Sequence, residues 1–370
     1  MPQPTVVFAL TGDVRRNSRA LKQLRALTAL GATVDVLTLG GEPAGEEELG
    51  IRMHVLPRPA LHGPRFFAYV HRQFARAARE FRAQVYHASD LYALPAMHAA
   101  ARQAGYLVYD ARELYTRVAS TTRRPWVTAF WRHVEGRYIG KADAVFTVSG
   151  SIARHLATMY SIRQPEVLHN VPPRQRVTSS GALGREDGTV VLLHQGKIQK
   201  HRGCFLLVNA MREIHGAVLV FMGDGPSRPE LQAYVDREGL GNRILFRDPV
   251  HPDALLRVTA SADMGITLLE DTCLNHRYAL PNKLFEYLMA GLPVLASNLP
   301  EIRQVVESFD VGCVVDPADH NALVAALQRV VDDVDSRRRW ASHTAGVFET
   351  FSWETASQRF RDIYHNLLYE

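Results

Sequence analysis

The chain has 370 residues, of which 46% are hydrophobic and 22% charged, with three cysteines. This length predicts about two domains, and every apolar run is shorter than the roughly 18–20 residues of a membrane-spanning helix. The cysteines (Cys204, Cys273 and Cys313) lie far apart and form no C-x-x-C pair. This spacing argues against a disulfide framework or a structural zinc site and is typical of a reducing cytoplasm.

Charge is unevenly distributed along the chain. Residues 1–170 contain 22 lysines and arginines against 13 acidic residues, a net charge of +9, whereas residues 171–370 contain 21 against 25, a net charge of −4. This asymmetry indicates two modules with different partners. Nucleic acid is not the predicted partner, because the basic residues are nearly all arginines in mixed apolar helices and no nucleic-acid-binding motif is present.

The first half alternates short apolar strands with amphipathic helices, the pattern of β-α-β units and a parallel sheet. Its first stretch, Val6–Leu10, is predicted to be a buried strand and not part of a signal peptide, because no basic segment precedes it. The elements predicted after it are helix Ala20–Leu30, strand Thr33–Leu39, helix Phe66–Phe81, strand Gln84–His87, helix Ala93–Ala104, strand Leu107–Tyr109, helix Trp126–Ile139 and strand Ala144–Val148.

A linker is predicted over residues 171–187, where two prolines and a polar stretch interrupt this pattern. The alternation then restarts and fades near the C-terminus, where Ser352 is predicted to cap a last helix, Trp353–Leu368. The strands predicted in this half are Thr189–His194, Val218–Met222, Ile244–Phe246, Met264–Leu268, Val294–Ala296 and Val314–Val315.

The pattern as a whole predicts an α/β fold with two doubly wound domains. The first comprises residues 1–170 and the C-terminal helix 352–370, and the second comprises residues 188–350. Open α/β sheets bind ligands at the carboxyl ends of their strands. We therefore expect a ligand in a cleft where the two sheets face each other.

One segment of the second half combines a helix start with polar side chains. Pro281 is expected at the first helical position and Gly291 just beyond the last one. Asn282, Lys283 and Glu286 then share one face near the N-terminus, where unpaired N–H groups favour phosphate. The carboxylate one turn further could accept hydrogen bonds from a sugar diol. The alternative is an ordinary amphipathic helix with a solvated lysine and glutamate.

Two glycine-containing loops follow predicted strands of the same half. In the first, Lys197 and Arg202 follow Gly196, and two cations at this spacing could clamp a diphosphate without a metal ion. The alternative is a solvated basic loop. The second carries Gly223 and Gly225, and by itself this pair indicates only a turn.

Taken in order, these segments resemble the nucleotide-sugar-binding domain of the GT-B glycosyltransferases of family 4, which are retaining enzymes. The patterns G-(R/K)-x4-(K/R)-G, apolar-x-G-x-G-P and apolar-E-x4-G-x-P-V are met by Gly196–Gly203, Phe221–Pro226 and Phe285–Val294. The resemblance implies two Rossmann-like domains around a UDP- or GDP-linked sugar donor, with no other cofactor and no metal. The first half matches more loosely, through Tyr86–Asp90, Tyr109–Tyr115 and His169–Pro172.

The resemblance implies a role for each matching residue of the second half. Lys197 and Arg202 match the basic pair that binds the donor diphosphate and steadies the leaving group. Glu286 matches the glutamate that holds the nucleotide ribose, and the N–H groups of Asn282 and Lys283 match those that meet the distal phosphate. The acceptor would be a glycan, a lipid-linked sugar or a small molecule, as in polysaccharide biosynthesis.

The resemblance also implies site residues in the first half. Gly12 matches the place where the N-terminal domain closes on the phosphates. Asp110 and Arg112 lie in a turn that usually reads Asp-Ala-His-Glu, whose histidine faces the reacting sugar. An arginine cannot act as a general base at neutral pH. His87 or Asp90 is therefore considered as a partial substitute, against the alternative that His87 is structural.

A second departure is Tyr278, which stands where the family often has its first glutamate. Together with Arg112, it leaves two alternatives to glycosyl transfer: a nucleotide-sugar 2-epimerase of the same fold, or a non-catalytic relative that binds nucleotide-sugar. The basic helix Phe66–Arg82 and the aromatic-basic stretch Arg123–Arg132 suggest peripheral contact with an anionic membrane at its cytoplasmic face. The alternative is that these helices simply present solvated arginines.

Overall fold

Two parallel sheets organise the chain. The computed structural model describes residues 3–41, 49–103, 105–119, 124–183 and 188–370. The chain divides into two compact units: an N-terminal unit of residues 1–170 and 356–370, and a C-terminal unit of residues 171–355. Part of the predicted linker, residues 171–183, lies within the second unit, and residues 184–187 and Ala104 lie outside the described residues.

The N-terminal unit contains a seven-stranded sheet in which every neighbouring pair is parallel, in the order β3-β2-β1-β4-β5-β6-β7. The chain reverses its winding between β1 and β4, which is the switch point where doubly wound sheets bind ligands. The strands are β1 (Thr5–Leu10), β2 (Thr33–Leu39), β3 (Ile51–Leu56), β4 (Val85–Ala88), β5 (Tyr106–Ala111), β6 (Ala144–Thr147) and β7 (Glu166–Val167).

Helices connect these strands, as parallel pairing requires. Two of them have side-chain caps: Asn17 accepts from the backbone N–H of Ala20, and Ser149 accepts from that of Ile152. The helices are α1 (Ser18–Ala29), α2 (Gly63–Ala78), α3 (Leu94–Ala101), α4 (Pro125–Tyr138) and α5 (Gly150–Tyr160).

The C-terminal unit contains a six-stranded parallel sheet in the order β10-β9-β8-β11-β12-β13, which switches direction between β8 and β11. Its strands are β8 (Val190–Gln195), β9 (Ala217–Met222), β10 (Ile244–Arg247), β11 (Met264–Thr267), β12 (Val294–Ser297) and β13 (Gly312–Val315). Its helices are α6 (Cys204–Met211), α7 (Arg228–Arg237), α8 (Pro252–Thr259), α9 (Leu274–Arg277), α10 (Asn282–Met289), α11 (Pro300–Phe309), α12 (His320–Asp332) and α13 (Val334–Thr350).

The last helix, α14 (Trp353–Tyr369), belongs to the N-terminal unit from Ala356 onward. Ser352 caps it, since its Oγ accepts from the backbone N–H of Thr355 at 3.4 Å. Its apolar face is buried in that unit, where the Phe360 ring lies 5.3 Å from that of Phe146. Burial of each such aromatic ring contributes about 1.5–3 kcal/mol to the free energy of folding. The hydrogen bond of Ser352 and the buried face confirm the predicted cap and apolar face of this helix.

The structure also corrects several predicted elements. The strand β3 and the helices α12 and α13 were not predicted, because the partly polar surfaces of these segments obscure their periodicity. Pro281 caps α10 instead of being its first residue. Among the described residues, no helix is both long and apolar enough to span a bilayer.

Candidate functional site

The glycine loops after β8 and β9 pack directly against each other. The backbone N–H of Ile198 donates to the carbonyl of Asp224 at 3.0 Å. A Cβ atom on Gly223 would lie 1.9 Å from the carbonyl oxygen of Gly196, and one on Gly225 would lie 2.3 Å from that of Ile198. The predicted Gly223 and Gly225 are therefore required by this close approach. Contact of either glycine, or of Gly196, with a donor remains a prediction.

Lys197 and Arg202 lie on the single loop that joins β8 to α6. Lys197 is exposed and, among the described residues, forms no ion pair, while Arg202 is partly buried. Gly203 follows Arg202 and caps α6 with φ +69°, and a Cβ atom there would lie 2.4 Å from Cβ of Leu268. The glycine thus lets the loop turn into the helix and keeps both cations at the carboxyl end of β8.

The first turn of α10 presents two unused backbone donors. Within the described chain, the N–H groups of Asn282 and Lys283 donate no hydrogen bond, whereas that of Leu284 donates to the Pro281 carbonyl at 3.1 Å. These donors and the helix dipole favour an anion at this end. The arrangement is the one predicted for phosphate, and contact with phosphate remains a prediction.

Glu286 is anchored to the end of β8. Its Oε2 accepts from Nε2 of Gln195 at 2.6 Å, and Oε1 of Gln195 accepts from the Thr259 hydroxyl at 2.7 Å. The backbone N–H of Gln195 donates to the Tyr287 hydroxyl at 2.8 Å. Glu286 itself remains partly exposed. Its carboxylate is therefore held in place while still open to a ligand hydroxyl, through a residue, Gln195, that sequence reasoning missed.

Beside these groups lies a cluster around His194, which is fully buried near the end of β8. Its Nε2 lies 3.4 Å from Nζ of Lys283 and 3.7 Å from Sγ of Cys204. Burial, and then the Lys283 charge, lower the pKa of His194 well below its ordinary value. Burial, and then the Arg202 charge, lower the pKa of Lys283 to about 7. Sequence reasoning did not identify His194, whose polar character in an apolar strand was the available clue.

A surface cavity of about 260 Å³ opens at the same edge of the C-terminal sheet. It includes Lys197 and combines polar loop residues with an apolar wall, which suits a flat ring with polar edges. Its lining residues are Gly196, Lys197, Met222, Gly223, Asp224, Pro249, Val250 and Leu255.

The predicted catalytic residues of the N-terminal unit have internal partners. Asp110 is fully buried, and Arg19 donates to both of its carboxylate oxygens at 2.7 Å. Burial alone would raise the pKa of Asp110, but the charge and hydrogen bonds of Arg19 hold it below its ordinary value. His87 is also fully buried, with Nδ1 2.6 Å from the Tyr364 hydroxyl, and burial lowers its pKa to about 3. Both side chains are therefore buried and hydrogen-bonded within this unit, and their catalytic roles remain predictions.

Arg112, the third predicted catalytic residue of this unit, reaches the surface, with 22% of its side chain exposed. Its Nη2 lies 3.5 Å from Oδ2 of Asp90, a carboxylate that also accepts from the backbone N–H groups of Thr11 and Ala93 at 2.9 and 3.0 Å. Gly12 follows Thr11 with φ +134°, a conformation that favours glycine. The structure thus brings Arg112 and Asp90 together near Gly12 at the carboxyl ends of β1, β4 and β5.

The described residues contain no group of three or more histidine, cysteine, aspartate or glutamate side chains that could hold a metal ion. Basic side chains lie at the carboxyl end of β8: Lys197 and Arg202 are on the loop that follows this strand, and Lys283 is near the start of α10. Chemically, this edge can bind an anion and a hydroxyl-bearing ring next to it.

Both halves of the chain match glycosyltransferase family models. The model described as glycosyl transferases group 1 matches residues 189–333, and the glycosyl transferase 4-like domain matches residues 17–173. A D-inositol 3-phosphate glycosyltransferase from Nocardioides is 27% identical over 62% of this chain and 55% of its own length. This match therefore spans little more than half of that relative. A 2-deoxystreptamine glucosyltransferase from Streptomyces kanamyceticus is 25% identical over 88% of this chain and 94% of its own.

Solved structures with the same fold cover nearly the whole chain. Sucrose-phosphate synthase from Thermosynechococcus elongatus superposes with a TM-score of 0.82 at 19% identity and covers 99% of each chain. HepE from Anabaena in complex with UDP-glucose gives a TM-score of 0.77 at 17% identity and covers 98% of this chain and 99% of that one. The chain therefore has the fold of these proteins, with two Rossmann-like domains.

Proposed function

The chain belongs to the group 1 glycosyltransferases with the GT-B fold, and from this premise we propose that its donor is a UDP- or GDP-linked sugar. We propose further that transfer proceeds with retention of configuration and without a metal ion. The supporting observation is the juxtaposition, at the end of β8, of two cations, an open helix start and an anchored carboxylate. Each of these groups suits a different part of a nucleotide-sugar.

The diphosphate is assigned to Lys197, Arg202 and the first turn of α10. Cations and backbone N–H groups bind phosphate oxygens through charge-assisted hydrogen bonds, and the same contacts would stabilise the diphosphate as it leaves. Such a site needs no divalent ion to neutralise the leaving group. Lys197 is free of ion pairs within the described chain, so its charge is available for this role.

The ribose is assigned to Glu286 and the base to the neighbouring cavity. Glu286 is held by Gln195, which is itself held by Thr259, and α8, which carries Thr259, also contributes Leu255 to the cavity wall. A diol bound at Glu286 therefore has an apolar-walled recess close by for the ring attached to it. The cavity volume of about 260 Å³ is suited to a nucleobase.

The acceptor is proposed to be a glycan, a lipid-linked sugar or a small polyhydroxylated molecule. The relatives' names mention inositol 3-phosphate and 2-deoxystreptamine, both cyclic polyols or aminopolyols. We therefore place cyclitols first in the acceptor panel. In a retaining transfer in which the leaving phosphate accepts the acceptor proton, a side-chain base is not strictly needed, which accommodates Arg112.

A donor panel tests the proposal directly. UDP- and GDP-linked hexoses are incubated with the protein, with and without cyclitol and glycan acceptors, and products are followed by mass spectrometry. We expect transfer or slow donor hydrolysis with one nucleotide series, and NMR of the product should show the donor's anomeric configuration. An inverted product would overturn the assignment of retention. An epimerised donor would instead establish the 2-epimerase alternative, which the family matches do not support.

Binding without any turnover across the panel would favour a non-catalytic relative. That alternative is motivated by Arg112 and by Tyr278, which follows α9 and donates its backbone N–H to Leu274 at 3.1 Å. The matched comparison is the variant Arg112→His. If it gains transfer activity where the unchanged protein has none, Arg112 is the cause of the inactivity.

Peripheral membrane contact is retained as a proposal for the N-terminal unit. Trp126 and Phe130, on α4, are 65% and 39% exposed, and α2 carries an arginine-rich face. Arg123, part of the predicted stretch, lies outside the described residues. Aromatic and basic groups together favour anionic headgroups. Co-sedimentation with phosphatidylglycerol vesicles should exceed that with phosphatidylcholine vesicles and fall in Trp126→Ala, and equal sedimentation would contradict the proposal.

A further inference from the structure

The amino group of Lys283 contacts a histidine and not a carboxylate. Its Nζ lies 3.4 Å from Nε2 of His194, and within the described chain it forms no ion pair. His194 is fully buried, and its pKa is lowered well below its ordinary value by burial and by Lys283. A neutral imidazole accepts a hydrogen bond from an ammonium group without neutralising it. The lysine is therefore positioned by a neutral partner, and no ion pair cancels the charge of its protonated form.

The other charged and titratable groups around Lys283 do not supply a counter-ion within bonding distance. Arg202 faces it from the loop after β8 and repels its charge, while Glu286 on its own helix has a smaller opposite effect. The Cys204 thiol stays neutral because burial raises its pKa. Glu286 is engaged by Gln195. The local field thus favours an added anion over a second cation.

We propose that Lys283 is a third cation of the diphosphate site, beside Lys197 and Arg202, and that its neutral amine takes up a proton from solvent to become an ammonium group when the donor binds. This inference rests on the proposed function, and it assigns a role to the side chain in addition to the backbone N–H. No covalent bond changes in this step. The diphosphate supplies the negative charge that the free site lacks, so protonation of Lys283 and donor binding favour each other.

The affinity for the donor should decrease as pH rises. In the free protein the pKa of Lys283 is about 7, so the amine is mostly neutral at pH 8. Binding the diphosphate raises that pKa, so donor affinity is highest at low pH and falls as pH rises through the free pKa. From pH 7 to pH 8 the affinity for UDP-glucose, or for GDP-glucose if that nucleotide binds, should fall by about fivefold.

Lysine NMR measures this titration in the unmodified protein. The chain has five lysines, Lys22, Lys141, Lys197, Lys200 and Lys283, so 13Cε- and 15Nζ-labelled lysine gives few signals, and Lys283→Arg identifies the one in question. We expect the Lys283 signal to titrate near pH 7 in the free protein and to shift to higher pH with saturating UDP-glucose. A signal that titrates at the ordinary lysine pKa in both states would overturn the proposal without any variant having to fold.

Calorimetry measures the number of protons that the protein takes up when the donor binds. In two buffers of different ionisation enthalpy, binding of UDP-glucose should take up about 0.9 proton at pH 8 and about 0.1 at pH 6. A nucleotide-sugar diphosphate has no group that titrates in this range. Lys283→Met should bind UDP-glucose more weakly below pH 7 and take up no proton. The control is Lys200→Met, at an exposed lysine of the loop that carries Lys197 and Arg202, and it should match the unchanged protein. Binding without proton uptake sinks this inference alone, while absence of binding by every nucleotide-sugar sinks the proposed function.

Discussion

The strand ends of the two units carry similar residue types in opposite arrangements. In the N-terminal unit, Arg19 is paired with Asp110 and Arg112 lies beside Asp90. In the C-terminal unit, Lys197 and Lys283 form no ion pair within the described chain. Net charge does not explain this contrast, because the first half of the sequence, where the arginines are paired, has a net charge of +9 and the second half has a net charge of −4. Local ion pairing therefore distinguishes the two edges in a way that overall charge does not.

This difference separates two uses of buried charge. A charge that is satisfied internally fixes the positions of neighbouring elements and is costly to break. A charge held by a neutral partner leaves the site electrostatically incomplete until a ligand arrives. Substitutions at the first edge should therefore change the free energy of unfolding, and substitutions at the second should change ligand affinity.

The first prediction concerns the Arg19–Asp110 pair. Arg19→Met leaves the Asp110 carboxylate buried without its cation and should lower the free energy of unfolding by about 3–5 kcal/mol. Denaturant unfolding of the full chain measures this, monitored at the transition that involves the N-terminal unit. Adding Asp110→Asn to Arg19→Met should recover part of the loss, because the uncompensated charge is then gone.

The matched control is Arg359→Met, which breaks the pair with Glu166 at 3.1 Å, where the arginine side chain is 53% exposed. Exposed pairs contribute about 0–1 kcal/mol, so this variant should remain close to the unchanged protein. Equal losses for the two variants would show that the buried pair has no special role in the stability of the N-terminal unit.

Glu135 sharpens the comparison because it is a buried acid of the N-terminal unit without a cation. It is fully buried and accepts from the hydroxyls of Tyr109 and Tyr160 at 2.7 and 2.8 Å. Burial raises its pKa to about 7, and the two hydrogen bonds only partly oppose this. The folded state therefore holds the proton more tightly than the unfolded state, where the pKa is that of an ordinary glutamate.

The second prediction follows from the higher pKa of Glu135 in the folded state than in the unfolded state. The contribution of Glu135 to stability is fully present below about pH 4.5 and is lost as pH rises toward 7, on the order of 3 kcal/mol in all. Glu135→Gln removes the titration, so its melting temperature should exceed that of the unchanged protein at pH 8 and equal it at pH 4.5. The difference between the two proteins isolates Glu135 from other titrating groups. A pH-independent difference would contradict the assigned pKa.

Much of the fold was predictable from the sequence, because strand and helix periodicity survive in elements with one strongly apolar face. The strands β1 and β2 and the helix α14 were all found this way. The strand β3 was missed because its outward residues, such as Arg52, interrupt the apolar run. Helix α13 was missed for a related reason, since some of the buried positions on its inner face are polar and its buried apolar residues, such as Trp340 and Val347, are few.

The candidate site was less predictable, because burial decides the role of a polar residue and a single sequence does not report burial. His87 resembles a catalytic histidine in its position at a strand end, yet Tyr364 on the C-terminal helix covers it. In the same way, the contact between His194 and Lys283 joins residues 89 positions apart. Pairings over such distances depend on the packed fold.

The third prediction concerns Glu286 in the C-terminal unit. Glu286→Ala removes a carboxylate assigned to the ribose and should weaken nucleotide binding by about 1–3 kcal/mol, the range for hydrogen bonds to a charged acceptor. Calorimetry with UDP and GDP measures this. Glu307→Ala, at an exposed glutamate of α11, is the control and should bind normally. Unchanged affinity in Glu286→Ala would return this residue to the role of a structural partner of Gln195.

The smallest expected effect is that of a divalent ion on nucleotide binding. The proposed diphosphate site contains Lys197, Arg202 and Lys283, and these basic groups would repel a cation added among them. Affinity for UDP or GDP should therefore change by less than about twofold between EDTA and millimolar magnesium, after correction for magnesium bound by free nucleotide. The variant Lys197→Met provides the internal contrast, since loss of one side-chain cation should weaken binding in both conditions. If EDTA abolished binding in the unchanged protein, the phosphates would depend on a metal ion, and the availability of these lysines would need another explanation.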